Sequence, residues 1–200
     1  QHDTDGEFEA VCAVAENNED SLYAIVKRTI NGATKRYVER LHTRNFAALA
    51  DAFFVDCGLT YSGAAATTIA GLDHLEGETV NILADGAVVE PQVVTSGEIT
   101  LPEEASVVHA GLPITADLKT LPIAAQLDGA FAQGRPKNAN AVWLRVNRSS
   151  GIQVGPDFDR LIEYKQRTTE TYGAPPALVS DEIKIGLSPS WSVSGQVCVR

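Results

Sequence analysis

Turn dipeptides divide this chain into short runs rich in β-branched and aromatic residues. In the clearest case, Asn31-Gly32 separates two such runs by two residues. Asn and Gly tolerate the positive φ angle that both positions of a type I′ turn require, so this pattern predicts a β-hairpin. Before it, residues 7–15 alternate between charged and apolar side chains and end at the polar segment 16–20. We therefore predict a three-stranded antiparallel meander that ends near Leu41.

The meander carries many charged residues. Lys27 and Arg28 face a strand that holds four more: Lys35, Arg36, Glu39 and Arg40. Because charged side chains are rarely buried, we expect this side of the sheet to be exposed. The interior would then be filled by aromatic and apolar side chains: Tyr23, Ile25, Tyr37 and Val38.

One later segment has helical spacing. Phe46, Leu49 and Phe53 recur at intervals of three and four residues, which predicts about two helical turns over 45–52. Residues 53–61 return to strand composition, and the alanines and threonines that follow indicate a loop.

Between residues 71 and 116 the turn signals come at close intervals. Strands are predicted at 79–84 and 87–94 around Asp85-Gly86, and another begins after Thr95-Ser96-Gly97. Pro91 places its strand at an edge, because proline has no N–H to donate to a ladder. Several short strands in this length suggest a small β-barrel inserted into a larger sheet.

These patterns predict a mainly β fold with little helix. We expect an antiparallel sheet platform, propeller-like or a sandwich, that carries the inserted small β-barrel. The predicted boundaries are 1–68 for the first part of the platform, 69–117 for the barrel and 118–200 for the second part. In the second part, strands are predicted at 142–147, 182–187 and 196–199.

The balance of charge argues against a nucleic-acid-binding protein. Twenty-six acidic and 16 basic residues give a net charge of −10, the wrong sign for holding phosphate backbones. No apolar stretch approaches the roughly 20 residues of a membrane span, and no signal peptide is visible. The absence of Met suggests a fragment or a processed piece.

A basic cluster is the local exception: Arg135, Lys137, Arg145 and Arg148. It could face DNA in a channel or pair with carboxylates across a subunit contact, and the second is favoured.

The sequence lacks the common catalytic motifs. There is no G-x-S-x-G elbow, no phosphate-binding loop and no G-x-G-x-x-G fingerprint. The histidines have no spacing that would place two metal ligands on one face: His2, His42, His74 and His109. We therefore predict no catalytic residues, no metal ligands and no cofactor.

Neighbouring carboxylates could serve glycoside hydrolysis, which needs two such groups close together. The candidates are Glu103-Glu104, Asp157 with Asp159, and Asp181-Glu182. Each lies beside turn residues, so solvated surface charges explain them more simply.

The cysteines and tryptophans are expected in the core. Cys12, Cys57 and Cys198 are an odd number without C-x-x-C spacing, and each lies in an apolar run, which indicates reduced thiols. We expect Trp143 and Trp191 to be buried as well.

Four segments together resemble a known family. They are GLDHLEGETVNILADG at 71–86, FFVDCGLTYSG at 53–63, GLP at 111–113 and VWLRVNRSSG at 142–151. In this order and spacing they resemble the C-terminal half of large bacteriophage and prophage structural proteins. In that family the Leu-Glu-Gly and Asp-Gly stretch belongs to a small β-barrel similar to the first catalytic cysteine half-domain of ubiquitin-activating enzymes. The activity of those enzymes is not implied, since no adenylation motif is present.

The resemblance implies a non-enzymatic structural component of a virion, in the tail tube, the nozzle or the head-to-tail assembly. It would be made in the bacterial host cytoplasm and located in the phage tail. Its partners would be other copies of itself and neighbouring virion proteins, with DNA passing by without specific binding and no membrane span. An acidic lining would repel that DNA.

Two alternatives remain open. One is a tail-associated polysaccharide hydrolase. The other is a receptor- or carbohydrate-binding module, in which the tryptophans and tyrosines would line an exposed aromatic surface.

Overall fold

The computed structural model describes residues 6–16, 19–43, 45–124, 126–127, 130–131, 134–167, 169–171 and 174–200. They divide into two compact units, one up to Thr115 and one from Ala116 to Arg200. Nearly all regular structure in the described residues is antiparallel β-sheet, with two short 3-10 turns. The predicted mainly β class with little helix is confirmed. The predicted boundaries and the propeller-like or sandwich platform stay predictions.

The first unit contains seven described strands. They are β1 (Gly6–Glu16), β2 (Glu19–Ile30), β3 (Ala33–Arg40), β4 (Asp56–Ala70), β5 (Thr79–Ala84), β6 (Ala87–Val93) and β7 (Glu98–Leu112).

The first three strands form the predicted meander, in the order β1-β2-β3. Asn31 and Gly32 adopt φ angles of 47° and 72° between the paired residues Ile30 and Ala33, as a type I′ turn requires. Of the polar break predicted before β2, residues 17–18 lie outside the described residues. The predicted hairpin is confirmed.

The other four strands form a second sheet in the order β4-β7-β5-β6. The turns predicted at Asp85-Gly86 and Ser96-Gly97 are present, and all four residues have positive φ. Pro91 lies in β6, at an edge of the sheet, as predicted. Because β4 and β6 end the described sheet without meeting, the predicted small β-barrel does not close.

The loop predicted after residue 61 is wrong. Strand β4 continues through the alanines and threonines to Ala70, and it pairs with β7 through Tyr61↔Val108 and Ile69↔Ile99. These small residues give a weak local signal, so the distant partner strand decides their conformation.

The helix predicted over 45–52 is reduced to one 3-10 turn at Leu49–Asp51. Ala48 has extended backbone angles, φ −98° and ψ 153°, so no helix begins before the turn. Very short helices are marginal because nucleation is costly.

The core of the first unit is aliphatic. Its fully buried members include Ile69, Leu72, Leu75, Val80 and Val108. Ile30 of the meander joins this core and Tyr37 packs against it, with the tyrosine hydroxyl donating to the His74 carbonyl at 2.8 Å. One end of the meander is therefore anchored in the core.

The second unit contains ten short described strands. They are β8 (Leu118–Lys119), β9 (Gln126–Leu127), β10 (Ala130–Phe131), β11 (Lys137–Asn138), β12 (Ala141–Arg145), β13 (Gln153–Gly155), β14 (Ile162–Glu163), β15 (Glu182–Gly186), β16 (Trp191–Ser192) and β17 (Cys198–Val199).

These strands form small sheets. One has four strands in the order β14-β13-β17-β8, and the pairs β12-β15, β11-β16 and β10-β9 form the others. The predictions at 142–147, 182–187 and 196–199 correspond to β12, β15 and β17. Val154 and Ile185 lie in the aliphatic core. Among the residues described in both units, no helix has the length and apolarity that crossing a membrane needs.

Candidate functional site

The meander leaves apolar side chains of one face in solvent. Opposed residues of an antiparallel pair share a face, and Phe8 and Val11 oppose two buried residues of β2. Leu22 lies on the same face by alternation, beside Leu41, whose N–H donates to the Leu22 carbonyl at 2.8 Å. We call these residues the outer patch: Phe8, Val11, Leu22 and Leu41, which are 50%, 62%, 41% and 66% exposed.

The same face of β2 changes from solvent to core along its length. Leu22 is 41% exposed, whereas Val26 is fully buried and Ile30 is 5% exposed. Contiguous exposed apolar side chains in a folded protein mark interaction surfaces. The outer patch is therefore the candidate functional site of the first unit.

The opposite face of the meander carries ion pairs that join its strands. Glu7 accepts a hydrogen bond from Lys27 at 2.8 Å. Glu9 accepts two from Arg36, at 2.8 and 2.9 Å, and this hydrogen bonding holds the pKa of Glu9 below its ordinary value. Both carboxylates are therefore matched by a cation of a neighbouring strand.

The third carboxylate of β1 is held in the same way. Glu16 accepts a hydrogen bond from the Tyr23 hydroxyl at 2.7 Å, which lowers the pKa of Glu16, and it lies 3.2 Å from Arg40. Between these polar groups, Ile25 and Val38 are 40% and 73% exposed, so the prediction that they fill the interior is wrong. The reason is that no described strand or loop covers this face.

Arg28 is buried, although the charged residues of the meander were expected to be exposed. Its side chain is fully buried and donates two hydrogen bonds to Glu39, at 2.6 and 2.7 Å. Asp56 at the start of β4 lies 3.0 Å from the same guanidinium. Burial lowers the pKa of Arg28, but the hydrogen bonds and charges of these two carboxylates outweigh it and raise the pKa overall. This cluster fastens the meander to the second sheet.

His109 is a second buried polar residue that the sequence did not reveal. It is 3% exposed, and its Nε2 lies 2.8 Å from the Ala50 carbonyl. Since a carbonyl can only accept, Nε2 carries the proton and Nδ1 accepts from the Thr60 hydroxyl at 2.8 Å. Burial is the main cause that lowers the pKa of His109. The neutral ring therefore ties the 3-10 turn at Leu49–Asp51 to β4 and β7.

The remaining histidines make local contacts. His74 Nε2 lies 2.9 Å from the Cys57 carbonyl. His42 stacks on Phe53 with ring centroids 4.6 Å apart, and His2 lies outside the described residues. Among the residues that the structure describes, no group of three or more His, Cys, Asp and Glu side chains could hold a metal ion.

The three cysteines are free and differ in burial. Cys198 is buried as predicted, Cys57 is half-buried, and Cys12 is exposed. The prediction for Cys12 is wrong because it lies on an edge strand that is solvent-exposed along its length. Burial raises the pKa of the Cys57 thiol to about 12 and also raises that of Cys198.

The predicted carboxylate pairs lie on the surface of their units. Asp157 accepts a hydrogen bond from Arg160 Nε at 2.9 Å, which lowers the pKa of Asp157. Glu182 lies 3.3 Å from Arg145, so one member of the basic cluster is paired within the chain. Lys137 donates to the Val193 carbonyl at 2.8 Å. The other residues of these two sets are exposed: Glu103, Glu104, Asp159, Asp181, Arg135 and Arg148.

The tryptophans are exposed, and the prediction of burial is wrong. Trp143 is 59% exposed, with Lys184 Nζ 5.1 Å from the centre of its ring, and Trp191 is 73% exposed. Both lie on two-stranded sheets of the second unit.

A small polar pocket of about 110 Å³ is present in the second unit. Its lining includes Lys119, Asp157, Arg160, Ser190, Ser192 and Ser194. Neither tryptophan lines it. Its volume is well below the roughly 300 Å³ at which pockets for small ligands begin.

The residues that carry the family resemblance stabilise turns. Glu76 accepts hydrogen bonds from the N–H groups of Ser96 and Gly97, at 2.9 and 2.7 Å. Asp85 accepts from the Val107 N–H at 2.8 Å. Leu75 is fully buried. These contacts connect β5 and its flanking turns to β7.

Compared with known proteins, the chain matches no protein-family model and none of the curated proteins.

Proposed function

We propose that this chain is a non-enzymatic structural component of a bacteriophage or prophage virion, in the tail tube, the nozzle or the head-to-tail assembly. It acts through contacts with other copies of itself and with neighbouring virion proteins. The observation that carries this proposal is the outer patch.

The outer patch supports an assembly function for energetic reasons. Burying apolar surface stabilises a contact by about 25 cal/mol per Å², and the four side chains share one face of the meander. The carboxylates of β1 that form ion pairs lie on the opposite face of the sheet, so a partner that covers the patch does not have to bury them. The kind of assembly comes from the resemblance of residues 53–63, 71–86, 111–113 and 142–151 to phage structural proteins.

The location is tested on purified particles of the phage or prophage that encodes the chain. Electron microscopy with antibodies against the chain should place the label at the tail. Particles that lack the chain would overturn the proposal.

The surface is tested by charge substitution. We expect L41E to weaken binding of the chain to isolated tails by roughly tenfold or more, because a buried carboxylate would lack a partner. The matched control is V88E, since Val88 is 85% exposed on the other sheet of the same unit. Equal binding by both variants would contradict the role of the outer patch.

A carbohydrate-binding module is the second candidate function. It is favoured by the exposure of Trp143 and Trp191, since aromatic rings in solvent are common platforms for sugars. Titration with host surface polysaccharide separates the two candidates. Under the virion proposal, tryptophan emission stays unchanged. A saturable change that W191F abolishes would favour the carbohydrate-binding module.

A further inference from the structure

The outer edge of β1 has no pairing strand among the described residues. Proteins usually protect such edges with short strands, prolines, β-bulges or charged side chains. Strand β1 is 11 residues long, contains no proline, and is uncharged from Ala10 to Ala15. Its register with β2 is regular from Ala10 to Glu16, after an irregularity between Phe8 and Ala10.

The hydrogen bond from Leu41 to Leu22 determines which groups of β1 point outward. Because the Leu22 carbonyl bonds to Leu41, the backbone groups of Leu22 point to β3. Those of the next residue, Tyr23, then point to β1, where Tyr23 opposes Cys12. By alternation the N–H and C=O groups of Cys12 point inward and those of Val11 and Ala13 point outward, as do those of Ala15.

We propose that a second copy of this chain pairs with β1 along this edge, antiparallel and centred on Ala13. The segment from Ala10 to Glu16 has Ala13 as its midpoint, so a two-fold axis there opposes the segment to itself. The outward groups of Val11, Ala13 and Ala15 then meet those of Ala15, Ala13 and Val11. This register uses every outward group of the regular segment. A shift toward Phe8 would bring the irregularity into the ladder.

The side chains of this register are compatible with a copy of the same strand. Val11 opposes Ala15, Cys12 opposes Val14, and the small Ala13 opposes itself at the axis. The one carboxylate in the segment, Glu16, opposes Ala10, so no two charges face each other. Glu16 is also already bonded to Tyr23. Like charges would have favoured a different protein as partner.

The pairing also joins the apolar surfaces. A two-fold axis perpendicular to the sheet keeps the same face of both copies on one side, so the two outer patches become neighbours in one six-stranded sheet. The inference rests on the proposed function, since it names one contact of the assembly.

The test uses a disulfide that only this register allows. V14C places a thiol opposite Cys12 of the second copy, at a pair whose own hydrogen bonds point inward and whose Cα atoms are about 4.5 Å apart. That distance is within the range for a disulfide. Within one chain the two Cβ atoms would be about 6.6 Å apart, too far for a bond. We expect V14C to form covalent dimers under mild oxidation.

Two controls define the result. C12S/V14C should lose the dimer, and V38C should not form it faster than the wild type, because Val38 is 73% exposed on the other edge strand. Dimers from V38C at the rate of V14C would overturn the register. So would V14C remaining monomeric.

A backbone variant gives an independent readout by sedimentation of the full chain. A13P removes one outward N–H and no bond to β2, so we expect dimers in the wild type and monomers in A13P, with the same circular dichroism. Dimers that survive in A13P would overturn the edge pairing. If A13P does not fold, the V14C experiment decides the question instead. If V14C forms no covalent dimer but L41E still weakens binding of the chain to tails, only the edge contact is wrong. If V14C forms no dimer and L41E leaves tail binding unchanged, the proposed function is wrong too.

Discussion

Arg28 and Glu39 form two parallel hydrogen bonds, of 2.6 and 2.7 Å, at the buried base of the meander. Asp56 completes the cluster from a different sheet, 3.0 Å from the guanidinium. Side chains from both sheets of the first unit therefore depend on one cation.

The first prediction concerns removal of that cation. R28M removes the cation that matches Glu39 and Asp56 in a mostly buried place, and breaking a buried pair costs about 3–5 kcal/mol. We expect a fall of that size in the free energy of unfolding, measured with urea. K35M is the control, because Lys35 opposes Arg28 in the register but is exposed. A loss in R28M no larger than in K35M would show that the cluster adds nothing.

The second prediction is a pH dependence that comes from His109. Burial lowers its pKa in the folded state below the unfolded value of about 6.5. The folded state thus favours the neutral ring, and the stabilisation is complete above pH 6.5 or so. It is lost as the pH falls through the folded pKa. We expect the unfolding free energy of the wild type to decrease between pH 7.5 and 5 more steeply than that of H109Q, in urea titrations at each pH. Parallel curves for the two proteins would exclude this role of His109.

The third prediction concerns Gly155 in β13. A Cβ built there would overlap the Arg160 carbonyl oxygen, a contact that forces the backbone to move. We expect G155A to lower the unfolding free energy by about 1–3 kcal/mol or more. Gly186 in β15 is the matched control, since a Cβ there meets nothing within 4 Å. Thermal unfolding of G155A and G186A measures the difference, and equal melting temperatures would refute the close approach.

The fourth prediction concerns thiol reactivity. Cys12 is exposed, whereas burial raises the pKa of Cys57 to about 12 and that of Cys198 above its ordinary value. Because the thiolate is the reactive form, a thiol reagent at pH 8 should modify one cysteine of the native protein rapidly. We expect C12S to remove this fast phase and full unfolding to expose the others. A fast phase that persists in C12S would contradict the burial of Cys57 or Cys198.

The turns of the first unit were predictable because their requirement is local. Asn31-Gly32 and Asp85-Gly86 occupy positions of positive φ that few other residues tolerate. Strand composition likewise identified β5 and β15, since short runs rich in β-branched residues need no knowledge of a partner.

The rest depended on partners that are distant in sequence. Arg28 is buried because Glu39 and Asp56 surround it, and nothing near Arg28 in the sequence indicates that. The outer patch was missed because the sequence does not show which faces of a sheet stay uncovered. An alternating pattern shows which side chains share a face, but not whether another layer covers that face. For the same reason Ile25 and Val38, on the opposite face of the meander, were expected inside.

Strand β2 runs without interruption from the outer patch to the Arg28 cluster. The exposed end of β2 is therefore held in its folded conformation before it binds a neighbouring molecule. A contact at Leu22 orders few additional backbone dihedrals, so little conformational entropy is lost on association and more of the burial energy is retained as affinity. A mechanical load applied at that end would be transmitted along the strand to the aliphatic interior around Ile30.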